Sequence, residues 1–467
     1  MNFQVICRGA DAPSRRLILL FAGWGMSPRP LEDVSMAGYD IAVVWDYRDM
    51  SAAWLDEVAR YDEVVLVAWS YGVHAAARFL SSHHGLPVTA RIAVNGTRFT
   101  ADDRRGIPCD TFRATLDGLT ERSVTKFNMR MCGGASAYKA FAPKAPERSI
   151  DDLREELASF DTAPAPAIIW DKAFISDSDA IIPPANQHEA WRDEATEIIH
   201  IDSPHLPDFN ALLRRCLTDK AHIRKRFHKA ELTYDANAGV QLTSSSTLID
   251  MAARHITSPV GTMLEAGCGT GRSSRMAIER LHPQKVILWD LHISPQVREL
   301  AAKHPDVSAI DCDAETEICR LPDGSVDLLL SASTVQWFNS LRAFLLQTLR
   351  VLSRGGIAAI STYGPDTMHE VHEAMGSKCR FPSSESIMKM IPKGLEAVAC
   401  REEHVRALYE SPLEVLRHLS RTGVNGLHAP GDDDSSGARA VISAYPTDSD
   451  GSAPLTYHPI YLILRKL

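Results

Sequence analysis

A serine, an acid and a histidine, the residue types of nucleophilic acyl chemistry, occur in that order in the first half of the chain. Trp69-Ser70-Tyr71-Gly72 closes the apolar run 64–68 and opens a second apolar segment, 73–80, of helical length. A strand, a tight turn and a helix in that order lift the serine hydroxyl above a sheet. They also bring the following backbone N–H and the helix dipole close to a developing oxyanion. Ala68 stands where such elbows usually carry their first glycine, and alanine is still small enough for the turn. The acid and then the histidine should follow downstream. Asp177 and Asp179 close one strand-like run, and His200 and His205 close the next. Asp179, followed by Ala-Ile-Ile-Pro, has the setting of the acid, with Asp177 as the alternative. His205 lies in the loop after its strand, where a general base belongs, whereas His200 falls within the strand and reads as a packed or edge residue. Asp171 reads as structural. Phe21-Ala22-Gly23-Trp24-Gly25-Met26 ends the first strong strand, so the backbone of Trp24 would supply a second oxyanion donor beside that of Tyr71. Cys132 reads as a small buried cysteine and not as a nucleophile.

The second half carries a different chemistry. Glu265-Ala266-Gly267-Cys268-Gly269-Thr270-Gly271 lies between a strand-like run and a helical segment, 272–281. Small residues there let the backbone approach a ligand. The spacing is G-x-G-x-G, which differs from the dinucleotide fingerprint G-x-G-x-x-G, and no Lys-Ser/Thr follows to make a phosphate-cradling loop. Asp290 ends the next strand, where a carboxylate accepts both hydroxyls of a ribose. Asp313-Ala314-Glu315 follows the third strand and Ser331 ends the fourth. Glu265, Gly267, Gly269, Gly271, Asp290, Asp313, Ala314 and Ser331 are therefore the candidate nucleoside contacts.

These residues need a scaffold, and the apolar runs supply one. Runs at 17–22, 41–45, 64–69, 90–94, 167–175 and 197–201 are separated by helical lengths, and a second series follows at 262–265, 285–289, 307–310, 326–331 and 357–362. The chain is expected to be α/β, with two domains meeting near residue 218, spanning 1–217 and 218–467. Its 467 residues exceed one ordinary core, and 45% apolar with 23% charged residues is ordinary globular composition. Nine scattered cysteines without a C-x-x-C pair argue against a zinc site or a disulfide framework. No signal pattern or membrane-length apolar run is seen, so a cytoplasmic protein without a membrane partner is expected. A net charge of −9 disfavours nucleic acid. Locally, Arg214, Arg215, Lys220, Arg224, Lys225, Arg226 and Lys229 stand against Asp219 in a basic stretch that reads equally as a docking surface or a solvated helix face. Residues 431–437, rich in Asp, Ser and Gly, read as an exposed loop.

The acids after strands two and three resemble the nucleoside-binding series of class I methyltransferases. Phe227-His228-Lys229-Ala230, Thr233-Tyr234-Asp235, Leu321-Pro322-Asp323-Gly324, Gln336-Trp337, Gly364-Pro365-Asp366-Thr367 and Leu455-Thr456-Tyr457-His458-Pro459 narrow the resemblance to the malonyl-[acyl-carrier protein] O-methyltransferases of biotin synthesis. The resemblance implies S-adenosyl-L-methionine as cofactor and malonyl-carrier protein as acceptor, with Tyr234, Gln241, Gln336 and Trp337 near the transferred methyl. Neither a metal nor an obligatory general base is expected. In the first half, the elbow with Asp46-Tyr47-Arg48, Val94-Asn95-Gly96-Thr97 and Phe127-Asn128-Met129-Arg130-Met131 resembles the pimeloyl-[acyl-carrier protein] methyl ester esterases. That resemblance implies an α/β-hydrolase fold ahead of the Rossmann-like methyltransferase fold, and a Ser70-His205-Asp179 triad. It also implies pimeloyl methyl ester on carrier protein as substrate. The segment between Arg105 and Ala163 would form the lid, with Phe112, Phe127, Met129 and Met131 as candidate channel lining. The alternatives are a non-catalytic, hydrolase-like docking domain, or two activities directed at small free acids.

Overall fold

The computed structural model describes residues 1–8, 16–160, 163–376, 379, 381–423 and 435–467. The chain divides into two compact units, Met1–Leu217 and Thr218–Leu467. Residues 431–434 of the Asp/Ser/Gly stretch lie outside the described residues. From Ser435 the chain is a helix, Ser435–Ala444, so the loop expected there ends sooner than the composition suggested.

The first unit is built on seven strands: β1 (Asn2–Cys7), β2 (Arg16–Phe21), β3 (Asp40–Trp45), β4 (Glu63–Trp69), β5 (Val88–Val94), β6 (Trp170–Ser176) and β7 (Ala195–Ile201). They lie in the order β1-β3-β2-β4-β5-β6-β7, parallel throughout except for β1, which runs antiparallel to β3. Strands in such a sheet are buried on both faces and therefore read as continuous apolar runs. All seven residues of β4 are buried. Leu17, Leu19 and Phe21 face one core and Ile18 and Leu20 the other, because successive side chains alternate across the sheet. The helix Gly72–Ser82 covers the first face with Val73, Ala76 and Phe79, and the helix Phe209–Cys216 covers the second with Phe209, Leu212 and Leu213. Four helices, Cys109–Asp117, Glu121–Met131, Ala135–Phe141 and Ile150–Ser159, are inserted between β5 and β6.

The second unit contains β8 (Thr262–Ala266), β9 (Lys285–Asp290), β10 (Val307–Asp311), β11 (Val326–Ala332), β12 (Leu352–Tyr363), β13 (Leu395–Glu402), β14 (Val405–Tyr409), β15 (Ala453–Tyr457) and β16 (Pro459–Lys466). The main sheet has the order β10-β9-β8-β11-β12-β16-β13, with β16 antiparallel to both neighbours, and β14 pairs with β15 separately. Among the parallel strands of each unit the order reverses direction once, with the switch between β2 and β4 in the first and between β8 and β11 in the second. Open α/β sheets bind ligands beyond the carboxyl ends of the strands at such a reversal. Among the described residues no helix is long and apolar enough to cross a membrane.

Candidate functional site

β4 delivers the chain to Ser70, which takes a left-handed φ of 57° before the helix Gly72–Ser82 begins. Such a conformation costs a non-glycine residue on the order of 1–3 kcal/mol, and close packing around the turn holds it. A Cβ on Gly72 would lie 2.2 Å from the Phe21 carbonyl oxygen, and one on Gly96 would lie 2.2 Å from that of Ser70. Ser70 Oγ is 3.0 Å from His205 Nε2, and His205 Nδ1 is 2.8 Å from Asp179 Oδ2. Both partners are buried. The His205 carbonyl accepts hydrogen bonds from Trp69 Nε1 at 2.9 Å and Asn95 Nδ2 at 2.8 Å, which fixes the loop that carries the imidazole. The Asp179 carboxylate accepts from the N–H groups of Ile181 and Ile182 at 2.8 and 3.0 Å and from Gln187 Nε2 at 2.8 Å. With Nδ1–H donating to this anchored carboxylate, Nε2 is left to accept the serine proton.

The other candidates in this half fall elsewhere. Asp177 and His200 pair with each other at 2.7 Å with exposed side chains, so neither serves Ser70. Asp171 accepts the Arg91 N–H at 2.8 Å and ties β6 to β5. Cys132 is buried, and burial pushes its thiol up to about 11. Trp24 and Tyr71 line a small cavity with Ser70, His205, Phe112 and Phe127. Met131 also reaches this cavity, whereas Met129, on another side of the helix Glu121–Met131, does not. The sequence reading missed Glu156. It is fully buried and accepts from the N–H groups of Gly25 and Tyr47 at 3.0 and 3.2 Å and from Arg148 at 2.5 Å. Burial raises its carboxyl pKa against the pull of Arg148. Glu156 thereby pins the inserted helix Ile150–Ser159 to the loop that carries Trp24.

In the second unit, Gly267, Gly269 and Gly271 take φ values of 83°, 54° and 79° as the chain turns from β8 into the helix Arg272–Leu281. A Cβ on Gly269 would meet nothing within 4 Å, which leaves its backbone open to a ligand. Asp290, at the end of β9, accepts the Gly269 N–H at 2.8 Å and the His292 N–H at 3.2 Å. Burial raises its pKa while these two N–H groups oppose the rise. Gly267, Gly269, Asp290, Asp313, Ala314 and Trp337 share one cavity at the strand reversal. Its roof is the helix Lys220–Asn237, joined to the glycine turn by Thr270 Oγ1 donating to Asp235 Oδ1 at 2.7 Å. Glu265, Gly271 and Ser331 stand behind the wall instead of lining it. Glu265 is fully buried and accepts from the hydroxyls of Ser273 and Ser274 at 2.5 Å each, with burial pushing its carboxyl up to about 7. Ser331 Oγ donates to the Ala266 carbonyl at 2.9 Å, and Gly271 caps the helix. Tyr234, Gln241, Gln336 and Trp337 meet in an adjoining smaller cavity with Tyr363 and Thr367. Gln241 Oε1 and Gln336 Oε1 are buried there without a hydrogen-bond partner among the described residues.

Lys220 belongs to this site and not to the basic surface where the sequence reading put it. Its Nζ donates to Asp313 Oδ1 at 3.2 Å and Glu315 Oε2 at 3.0 Å and lies 4.9 Å from the Phe338 ring centroid. Arg224, Lys225 and Lys229 remain exposed on the same helix.

Residues 7–212 match the family described as pimeloyl-ACP methyl esterase BioG, and residues 264–360 match a methyltransferase domain. A malonyl-[acyl-carrier protein] O-methyltransferase of Bacteroides fragilis is 33% identical over 98% of this chain and 95% of its own length. The chain belongs to that family. A like-named protein of Bacteroides thetaiotaomicron is 34% identical over 53% of this chain and 98% of its own. A solved BioG structure from Haemophilus influenzae, 32% identical, covers 44% of this chain and 94% of its own at a TM-score of 0.39. The second unit is thus a class I methyltransferase domain of Rossmann-like fold that uses S-adenosylmethionine. The residues present fit that cofactor. The glycine turn gives close backbone approach, Asp290 offers a carboxylate to ribose hydroxyls, and Asp313 and Ala314 close the far wall. When bound, S-adenosylmethionine supplies a sulfonium methyl that is already electrophilic.

Proposed function

We propose that this chain methylates the free carboxyl of malonyl-carrier protein in its second domain, 218–467, and hydrolyses the methyl ester of pimeloyl-carrier protein in its first, 1–217. Both reactions are assigned to the cytoplasm. The observation that carries the reading is the buried Ser70–His205–Asp179 hydrogen-bond chain beside an apolar cavity, in the half that matches the esterase family. The first domain is read as an α/β-hydrolase fold. Ser70 Oγ attacks the ester carbonyl while His205 Nε2 takes its proton. The backbone N–H groups of Trp24 and Tyr71 receive the oxyanion, and His205 returns the proton to the departing methanol. Water then attacks the acyl-serine by the same route, releasing the free carboxylate and restoring Ser70.

In the methyltransferase domain little proton chemistry is needed, because the acceptor carboxylate is already ionised at neutral pH. Positioning and exclusion of water do the work. Burial raises the pKa of the Tyr234 phenol, which keeps it a neutral hydrogen-bond donor. The side-chain oxygens of Gln241 and Gln336, which have no hydrogen-bond partner among the described residues, offer further polar contacts, and Trp337 forms an apolar wall. Glu265, Gly271 and Ser331 hold the cofactor loop from behind, while Lys220 holds Asp313.

The test compares malonate on carrier protein, on coenzyme A and as free acid as acceptors for methyl transfer from S-adenosylmethionine. Carrier-bound malonate should be methylated with the highest kcat/KM. Equal rates on free malonate would overturn the carrier-protein assignment.

A further inference from the structure

Outside both sites, three connections of the second unit converge on one point. Asp366 lies in the turn after β12, His404 between β13 and β14, and His458 between β15 and β16. Asp366 Oδ2 is 2.9 Å from His404 Nε2 and 3.3 Å from His458 Nδ1, and all three donor atoms lie within 4.8 Å of one another. The two imidazole rings stack at 4.1 Å. His458 is 5% exposed, and its Nδ1 is buried without a hydrogen-bond partner among the described residues, although it faces the Asp366 carboxylate. The other nitrogen, Nε2, is 3.0 Å from Glu402 Oε2, and Glu402 is itself held by Ser384 Oγ at 2.7 Å.

A neutral His458 whose Nε2–H donates to Glu402 must present a bare lone pair at Nδ1, the nitrogen that faces Asp366. A carboxylate opposite the lone pair of a buried nitrogen is an unfavourable contact unless a proton or a metal ion lies between them. Two imidazoles and one carboxylate with a carboxylate behind one imidazole is the donor set of a borderline divalent cation. Ligands at 2.0–2.1 Å around a tetrahedral ion sit about 3.3 Å apart, close to the 2.9 and 3.3 Å that separate Asp366 Oδ2 from the two imidazole nitrogens. Asp366 and His404 are exposed, which gives the ion a path in and a place for a bound water.

We propose that Asp366, His404 and His458 bind one divalent cation of the zinc class, with Glu402 orienting His458. The ion ties together the connections after β12, β13 and β15. Two neighbours in sequence, Thr367 and Tyr457, line the smaller cavity of the methyltransferase domain, so the tie stiffens one of its walls.

The experiment uses the full chain stripped with a chelator and titrated with Zn²⁺ against a chromogenic competitor. One ion should be taken up, and the thermal midpoint should rise with it. His404→Ala, a change at an exposed side chain, should abolish both effects, as should Asp366→Ala. Glu402→Gln keeps all three ligands and should weaken binding about 10–100-fold. Co²⁺ in place of Zn²⁺ should give visible ligand-field bands without the near-ultraviolet thiolate bands that any of the nine cysteines would add. Failure of the wild-type chain to take up zinc, uptake unchanged in His404→Ala and Asp366→Ala, or thiolate bands on the bound cobalt would each overturn the proposal.

Discussion

The two sites solve opposite problems. Around Ser70 the cavity holds only about 40 Å³, and both ring nitrogens of His205 are already paired inside the protein. Around Asp290 the cavity holds about 160 Å³, and the adjoining pocket leaves the Gln241 and Gln336 oxygens without a partner among the described residues. Ester hydrolysis needs a proton route built from the chain's own side chains, so those groups must be bonded to one another before substrate arrives. In methyl transfer the reactive atoms belong to cofactor and acceptor, and the protein's part is space, a few polar atoms left open to a ligand, and exclusion of water. Left-handed non-glycine backbone occurs in both, at Ser70 in the first site and at Ser333, φ 53°, in the wall of the second. Openness is concentrated in the second, at Gly269.

The largest effect that would sharpen this contrast comes from Ser70→Ala. It should lower ester hydrolysis by about 10⁴-fold or more while leaving methyl transfer at the wild-type rate, measured on the same preparation. Retained hydrolysis would break the contrast. Chain length comes next, because a fused esterase that cleaved malonyl methyl ester would undo its neighbour's product. Four additional methylenes at about 0.8 kcal/mol each give roughly a hundredfold preference for seven carbons over three, with Phe112, Phe127 and Met131 as the apolar lining. Rates on carrier-bound methyl esters of three, five, seven and nine carbons check this, and a flat profile would remove the channel.

A third prediction uses pH. Glu265 has a folded-state pKa of about 7 against an ordinary value of 4.5, so the folded state holds its proton longer than the unfolded chain does. Its contribution is fully present below pH 4.5 and is lost as pH rises towards 7, by about 3 kcal/mol in all. Glu265→Gln should remove that decline, seen as a pH-dependent gap between the two unfolding curves that opens between pH 4.5 and 7. Asp290→Ala should weaken S-adenosylmethionine binding by about 1.5–3 kcal/mol, read by calorimetry, with hydrolysis unchanged. The smallest effect is on docking. Reversing Arg224, Lys225 and Arg226 to Glu should raise KM about tenfold for carrier-bound substrates and leave small model esters untouched, and equal effects on both would point to folding damage.

The central strands β2, β4, β8 and β11 were legible because burial on both faces leaves continuous apolar runs. Of the edge strands, β7 and β10 were legible as the runs 197–201 and 307–310, whereas β1 and β13 were not. β1 has no buried position and alternates exposed with half-buried ones at its start, and β13 carries Glu396, Arg401 and Glu402 among its apolar residues, so neither stands out from an amphipathic loop. Antiparallel β16 was seen only as part of a motif. The elbow could be read because strand, serine and helix are contiguous in sequence. Gln187, Asn95 and Glu156 could not, since each is a single polar residue whose role exists only after folding brings it to Asp179, His205 or the Trp24 loop. Lys220 was misread because a basic run looks solvated from sequence, while one of its members turns inward to Asp313 and Glu315. Ser331 and Glu265 sit at motif positions but support the loop from behind, a distinction that spacing alone does not make.

The central claim is that one chain adds a methyl ester at three carbons and removes one at seven. The most direct test incubates the wild-type chain with S-adenosylmethionine, malonyl-carrier protein and pimeloyl-carrier protein methyl ester in one tube and follows the intact carrier species by mass spectrometry. The account predicts that the malonyl species gains the mass of one methylene and keeps it, while the pimeloyl ester loses the same mass. A malonyl species that never gains it, or a pimeloyl ester that persists, would contradict the account.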